Sequence, residues 1–210
     1  MSEKDTAMIY FEDLLKTADF GQSVSAIAKD FREKYEFPGV RQLGIVVSNV
    51  ETAAAELEDK GICLFFIASD TLDSWNERGK NKTFSGKVGL ACHKGYEIEL
   101  LEPGVGSNFY KSCVDKKGRM VLQHLGFSVK DVDSFKRKLE ELGNKTWVRG
   151  RIKSLGLVTE FAYMDTVKQA GIIMELIDMR YFGISLKPHA GFYHNFGRLE
   201  KLIGKRSLSF

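Results

Sequence analysis

Apolar and polar positions follow the same order in the two halves of the chain. An apolar run at residues 42–47 precedes a segment with helical periodicity, and residues 124–129 precede another. The second helical segment places its apolar residues on one face, at Val132, Phe135, Leu139 and Leu142. Each segment ends at a glycine, Gly61 or Gly143, which suits a left-handed C-cap. The pattern predicts a strand and then a helix in each half.

Three further runs of β-forming residues follow each helical segment. They cover residues 62–68, 86–92 and 96–101 in the first half, and residues 147–152, 158–163 and 172–177 in the second. Each half therefore has the predicted order β, α, β, β, β.

An internal repeat underlies this order. Moving the sequence by 82 residues places residues 42–50 on residues 124–132, and the match continues to Gly61 on Gly143. The last strands match at an offset of 76, with residues 95–100 on residues 171–176. The difference falls in turns, where changes of length are tolerated. The repeat predicts an α+β fold of two tandem βαβββ modules that form a curved mixed sheet.

Four segments are predicted along the chain. Residues 39–105 and 120–178 are the two modules, residues 1–38 are an N-terminal helical extension, and residues 179–210 are a C-terminal tail. The extension contains one predicted helix with Val24, Ile27, Phe31 and Tyr35 on one face, ending before Pro38. We expect this helix to cover an edge or face of the modules rather than to act as a substrate lid.

Composition and charge exclude several classes of protein. A chain of 210 residues, 43% of them hydrophobic, can bury a sizeable core, and a net charge of +3 is too balanced for a nucleic-acid partner. No run approaches the roughly 18 apolar residues of a membrane span, and charges near the start do not suit a signal peptide. Three cysteines without C-x-x-C spacing favour a reducing compartment. These features predict a cytoplasmic protein.

Polar residues occupy equivalent places in the apolar strands of the two modules. Gln42 and His124 open the first strands, and Glu99 and Glu175 lie in the last ones. If the modules pack about a pseudo-twofold axis, these side chains converge. Two carboxylates, an imidazole and an amide suit a divalent ion such as Zn, Ni, Co or Mn, with positions left for water or substrate. The alternatives are a structural histidine and a solvent-facing Glu99, although alternation would then turn Glu97 the same way.

Five short motifs in this order resemble the vicinal-oxygen-chelate superfamily, which includes glyoxalase I, methylmalonyl-CoA epimerase, extradiol dioxygenases and bleomycin-resistance proteins. The motifs are QLGIVV at 42–47, EIELLEP at 97–103, HLGFSV at 124–129, FAYMDT at 161–166 and GIIMEL at 171–176. The resemblance covers residues 40–178 and implies that Gln42, Glu99, His124 and Glu175 are the metal ligands, in the order found in glyoxalase I.

The residues at the ligand positions differ from those of two other members of that superfamily. Extradiol dioxygenases have histidines at both first-strand positions, whereas this chain has Gln42. Epimerases commonly have histidine at the position of Gln42, glutamine at that of Glu99, and a glutamate base near Lys87. The ligand pattern therefore favours glyoxalase-like chemistry.

Two functions remain open at this point. One is a metal-dependent isomerase or lyase of glyoxalase or epimerase type that stabilises an enediolate on a small vicinal-oxygen substrate, with Glu175 and Glu99 moving the proton. The other is a non-catalytic small-molecule binding or resistance protein of the same fold.

Arg149 and Arg151 alternate along a predicted strand and are expected to bind the substrate, the alternative being a solvated strand edge. The insert at residues 70–85 has no recognisable spacing. No membrane partner is expected. A homodimer is left open, although two modules in one chain can complete one site without a partner.

Overall fold

A computed structural model describes residues 8–62, 64–154, 156–186, 193, 195, 197, 198, 208 and 209. The helices are α1 (Phe11–Leu15), α2 (Phe20–Ala26), α3 (Lys29–Lys34), α4 (Val50–Asp59), α5 (Val132–Glu141) and α6 (Val167–Ala170). The strands are β1 (Gln42–Val46), β2 (Phe66–Thr71), β3 (Ser74–Glu77), β4 (Lys80–Lys82), β5 (Ser85–His93), β6 (Tyr96–Leu101), β7 (Val121–Ser128), β8 (Lys145–Ser154), β9 (Leu157–Asp165), β10 (Ile173–Tyr181), β11 (Ile184–Ser185) and β12 (Leu208–Ser209).

The two halves of the chain have the same strand order in one mixed sheet. The first half is arranged β1-β6-β5-β2 and the second β7-β10-β9-β8, with β1 and β7 as antiparallel neighbours at the centre. Leu43 pairs with Leu125, so the repeated Leu-Gly positions lie around one local pseudo-twofold axis. The predicted α+β fold of two βαβββ modules is confirmed.

The sheet curves until its two ends are neighbours. β2 lies near one end and β3 near the other, yet only Leu72 and Asp73 separate them in the chain. β3 pairs with β8 of the second half, and its Trp75 stacks on Phe84 with ring centroids 4.4 Å apart. The insert at residues 70–85 is therefore a hairpin that joins the first half to the edge of the second.

The sheet has one face covered by helices and one concave face. Alternate residues of the central strands, including Leu43, Ile45, Leu125 and Phe127, pack beneath the helices in the larger hydrophobic core. The side chains between them, such as Val46 and Ile173, belong to a second core on the concave face. Because alternation divides each strand in this way, polar residues at positions 42, 99, 124 and 175 fall on the concave side.

The N-terminal segment packs against the helix-covered face. Phe11, Phe20, Val24 and Phe31 all belong to the larger core. The single helix expected here is wrong, because α2 ends at Ala26, Ala28 has a φ of 50°, and α3 begins at Lys29. Arg32 stabilises the break, with its Nε donating to the Ile27 carbonyl at 3.0 Å.

The C-terminal tail lies partly outside the described residues. Within the described part, Tyr193 is buried and β12 pairs in parallel with β2. The boundaries of the four segments remain predictions. Among the described residues, no helix is long and apolar enough to cross a membrane.

Candidate metal centre

The register of β1 and β7 places Gln42 and His124 on either side of the pseudo-twofold axis. Gln42 lies opposite Gly126, and Gly44 lies opposite His124. A Cβ on Gly44 would lie 1.8 Å from Cε1 of His124, and one on Gly126 would lie 2.7 Å from Cβ of Gln42. Each repeated glycine thus leaves space for the polar side chain of the other half. This explains why a glycine follows the leucine at the repeated position in both halves.

Parallel neighbours bring the two glutamates to the same place. Glu99 of β6 pairs with Gly44, and Glu175 of β10 pairs with Gly126, so the arrangement is symmetric. Nε2 of His124 lies 3.3 Å from Oε2 of Glu99 and 3.1 Å from Oε2 of Glu175. One ligand atom from each of the three residues lies within 4.8 Å of the others.

The donor atoms of this cluster fit a divalent ion. Apart from their contacts with one another, four buried atoms of the cluster have no hydrogen-bond partner among the described residues, namely Oε1 of Gln42, Oε2 of Glu99, Nε2 of His124 and Oε2 of Glu175. Buried polar atoms normally have a partner. Two ligands about 2.1 Å from one ion lie about 3.0–3.4 Å apart at angles between right and tetrahedral. The measured separations from His124 fall in that range.

A β-bulge supports the imidazole of His124. The register with β1 shifts between Gly44 and Ile45, which leaves Gln123 as the extra residue of β7. Oε1 of Gln123 lies 3.1 Å from Nδ1 of His124. A proton on Nδ1 would be donated to this oxygen, leaving the Nε2 lone pair directed to the cluster.

A second support holds the amide of Gln42. Its Nε2 donates to Oε1 of Glu97 at 2.6 Å, and the Tyr193 hydroxyl donates to Oε2 of Glu97 at 2.7 Å. Because a carboxylate accepts hydrogen bonds, this contact turns the amide oxygen of Gln42 toward the cluster. Glu97 faces inward, as alternation with Glu99 indicated, and Ile173 takes its place in the second half.

The electrostatics of the cluster follow from burial and facing charges. Burial lowers the pKa of the His124 imidazole, but the carboxylates of Glu175 and Glu99 outweigh it and raise that pKa to about 9. Burial raises the pKa of the Glu99 carboxyl, and the charge of Glu175 adds to the increase. Burial also raises the pKa of Glu97. A positive charge between these groups would relieve the repulsion of the carboxylates.

The cluster opens into a cavity of about 560 Å³ between the two halves. Two buried tyrosines line it beside the cluster, with the hydroxyls of Tyr110 and Tyr163 2.8 Å apart. The ring of Tyr163 lies 5.0 Å from that of His124. Burial, together with the nearby charges of Glu99 and Glu175, raises the pKa of both hydroxyls well above the usual value, so both stay protonated.

A family model described as the glyoxalase/bleomycin resistance protein/dioxygenase superfamily matches residues 41–163, more than half of the chain. The chain belongs to this superfamily. The match includes Gln42, Glu99 and His124, and the resemblance stated from the short motifs is confirmed. No curated protein sequence matches the chain.

The chain is also similar in fold to solved structures. Methylmalonyl-CoA epimerase from Mycobacterium tuberculosis is 17% identical, over 67% of this chain and 87% of its own, with a TM-score of 0.44. A Streptomyces coelicolor methylmalonyl-CoA epimerase variant in complex with 2-nitronate-propionyl-CoA is 17% identical, over 67% of this chain and 96% of its own, with a TM-score of 0.42. A 4-hydroxymandelate synthase variant from Streptomyces coelicolor is 12% identical, over 80% of this chain and 56% of its own, with a TM-score of 0.43.

Arg149 and Arg151 were expected to bind the substrate, but they lie outside the cavity into which the cluster opens. The Arg149 guanidinium contacts both carboxylate oxygens of Asp133 at 3.0 and 3.1 Å, and its Nη2 lies 2.5 Å from Oε2 of Glu160. Arg151 forms an ion pair with the same Glu160. Val148 and Gly150 alternate with these arginines and face the concave side. The arginines therefore point to the helix-covered face.

Gly44→Ala is expected to lower the affinity for Zn²⁺ by about tenfold to a hundredfold, comparable to the loss of a supporting residue at a metal site. The new methyl group would overlap the ring of His124 and displace its Nε2. Overpacking should also cost about 1–3 kcal/mol of stability. Titration calorimetry and thermal unfolding measure both effects. Gly39→Ala is the control, because its Cβ has no neighbour within 4 Å, and equal Zn²⁺ affinity in the two variants would contradict the proposed role.

Proposed function

We propose that this chain is a metal-dependent enzyme that removes a proton beside a carbonyl, an isomerase or lyase of glyoxalase or epimerase type. The observation that carries the proposal is the convergence beside one cavity of four buried donor atoms, from Gln42, Glu99, His124 and Glu175, that have no hydrogen-bond partner outside the cluster. An ion pair of His124 with the two carboxylates would satisfy those three residues, but Oε1 of Gln42 would still have no hydrogen-bond donor, and an unsatisfied buried polar group is costly. The superfamily name covers both enzymes and resistance proteins, so membership alone does not decide between them.

Gln42, Glu99, His124 and Glu175 would hold the divalent ion, which would act as a Lewis acid toward two vicinal oxygens of the substrate. Glu175 would accept the proton from the carbon beside the carbonyl and return it to the product. Its side chain is only 5% exposed, so it would meet the substrate in a position from which water is largely excluded. Glu99 occupies the equivalent position in the first half and would serve the opposite face of the substrate.

Two tyrosines would assist as donors rather than as bases. The hydroxyls of Tyr110 and Tyr163 are hydrogen-bonded to each other, which leaves one proton of the pair available to a substrate oxygen. A protonated hydroxyl placed before the reaction stabilises negative charge as it develops. Their rings and the surrounding apolar side chains would also exclude water from the reacting carbon.

At the position where epimerases have their glutamate base, this chain has no acidic residue. Lys87 lies there, and its ammonium is 2.8 Å from Oε1 of Glu51 on α4. That hydrogen bond raises the pKa of Lys87, so the amine stays protonated and cannot accept a proton at neutral pH. Lys87 therefore does not replace the missing acid, which supports a base within the cluster, Glu175 or Glu99.

The test is solvent deuterium exchange. Metal-loaded protein in deuterated water should introduce deuterium beside the carbonyl of at least one compound from a panel of hydroxyketones, hemithioacetals, 2-methyl-branched acyl-CoA thioesters and small 2-oxo acids. Protein treated with a chelator is the control and should exchange at the background rate. If the metal-loaded protein binds a member of the panel but exchanges no proton, it is a non-catalytic binding protein.

A further inference from the structure

An apolar track leads away from the cluster along the second half of the sheet. After Glu175, the residues of β10 that face the cavity are Ile177, Met179 and Tyr181. Their partners on β9 are Phe161, Thr159 and Leu157, which also line the cavity. Six residues of strand span about 20 Å. Tyr181 is 49% exposed, so the track runs from the buried cluster to the surface.

The facing wall, from the first half, is apolar as well. Val88 and Leu90 of β5 pair with Ala68 and Phe66 of β2, and these four line the same cavity. Phe84 joins them from the loop before β5. A ligand with its polar end at the cluster would therefore bury its body between two apolar walls.

The charges around the cavity disfavour an anion. The acidic groups at its lining are Glu97, Glu99, Glu102 and Glu175. Among the described residues of the lining, Lys87 is the one cation, and it forms an ion pair with Glu51. The described lining therefore carries more acidic than basic groups, which disfavours a phosphate or carboxylate on the substrate.

We propose that the cavity takes a neutral substrate with a long apolar body, an alkyl or aryl chain ending in two adjacent oxygen atoms such as a hydroxyketone. The two substrate oxygens lie at the cluster, and the alkyl or aryl chain of the substrate lies along β9 and β10 toward Tyr181. Substrates conjugated to glutathione or coenzyme A, which carry several negative charges, do not fit this lining. This inference rests on the proposed function, because it assumes that the cluster is the reactive end of the site.

The experiment measures dissociation constants for 1-hydroxy-2-alkanones from hydroxyacetone to 1-hydroxy-2-decanone, in both metal-free and Zn²⁺-loaded protein. Each added methylene should lower the dissociation constant about fourfold, until the chain reaches solvent. In metal-free protein, 2-oxo acids of equal length should bind at least about tenfold more weakly than the hydroxyketones. Binding alone is measured, so the result does not depend on turnover.

Substitutions of residues on the apolar track test where the alkyl chain of the substrate lies. Ile177→Asp should weaken binding of the decanone by about tenfold or more and weaken binding of hydroxyacetone much less, because burying a charge beside the alkyl chain is unfavourable. Met179→Glu should do the same at a more exposed position, and it keeps the test valid if the first variant does not fold. Ile184→Asp is the matched control, since Ile184 is 75% exposed and outside the lining.

Dissociation constants that do not change with chain length, or tighter binding of the 2-oxo acids to metal-free protein, would overturn the proposed substrate class. If the protein still binds metal and exchanges protons, the proposed function survives that result. Conversely, dissociation constants that depend clearly on alkyl chain length in a protein that is unable to bind Zn²⁺ would support the apolar site and exclude the proposed metal-dependent reaction.

Discussion

His124→Ala and Glu175→Gln are each expected to lower the affinity for Zn²⁺ by more than about a hundredfold. Loss of a supporting residue costs about tenfold to a hundredfold, and loss of a direct ligand should cost more. His124 contributes the one nitrogen of the cluster, and Glu175 lies nearer to it than Glu99 does, at 3.1 against 3.3 Å. Gln42→Ala should have a smaller effect, because a neutral amide oxygen is a weaker ligand than either.

Metal content after purification without a chelator and calorimetric titration measure the loss. The metal-dependent rise in thermal stability, about 2.7 kcal/mol at a hundredfold excess over the dissociation constant in the parent, should disappear in both variants. His93→Ala is the matched histidine control, since His93 contacts Phe20 on the helix-covered face. Glu140→Gln on α5 is the matched glutamate control. If both cluster variants bind Zn²⁺ as the parent does, the cluster is not the metal site.

The fold could be predicted from the sequence because an internal repeat implies two modules of similar structure. Equal spacing of strands and helices in two halves implies equal strand order, and the register of Leu43 with Leu125 agrees with it. The convergence of Gln42 and His124 followed from the same symmetry. What the repeat cannot supply is anything that differs between the halves, and most of the unpredicted features are differences of that kind.

The residues that support the ligands show this limit. Gln123 acts through a bulge, and nothing in the run of residues 121–128 distinguishes a bulged strand from a regular one. Alternation indicated that Glu97 faces inward, but its partner Tyr193 is 96 residues away in the C-terminal tail. A contact across such a separation depends on how the tail packs, which no local pattern describes.

The positions of the two arginines and of the N-terminal helices differ from the expectation for related reasons. Alternation correctly places Arg149 and Arg151 on one side of β8, but it does not say which side faces the cavity. Asp133 on α5 and Glu160 on β9 decide that, because both lie on the helix-covered face. The helical periodicity around Ile27 continues across a break, since α2 and α3 bury residues against the same core.

The two glutamates are equivalent in the repeat and unequal in the structure. Glu175 is next to Tyr163 on β9, whereas the corresponding neighbour of Glu99 on β5 is Leu90. The strand pairing therefore places Tyr163 beside Glu175, and the Tyr163 hydroxyl lies 2.8 Å from that of Tyr110. A substrate oxygen hydrogen-bonded to Tyr163 would place the adjacent carbon near Glu175.

Glu175→Gln is consequently expected to slow deuterium exchange of a bound substrate by about a hundredfold to ten-thousandfold, the usual contribution of a general base. The rate is measured with 2-hydroxyacetophenone at Zn²⁺ concentrations that give equal occupancy in variant and parent, so that the loss of a ligand does not account for the change. Glu99→Gln is the matched comparison and should slow exchange less, because the strand neighbour of Glu99 is Leu90, whereas that of Glu175 is Tyr163. Equal rates in the parent and Glu175→Gln at equal occupancy would exclude Glu175 as the base, while a larger loss in Glu99→Gln would assign that role to the first half of the chain.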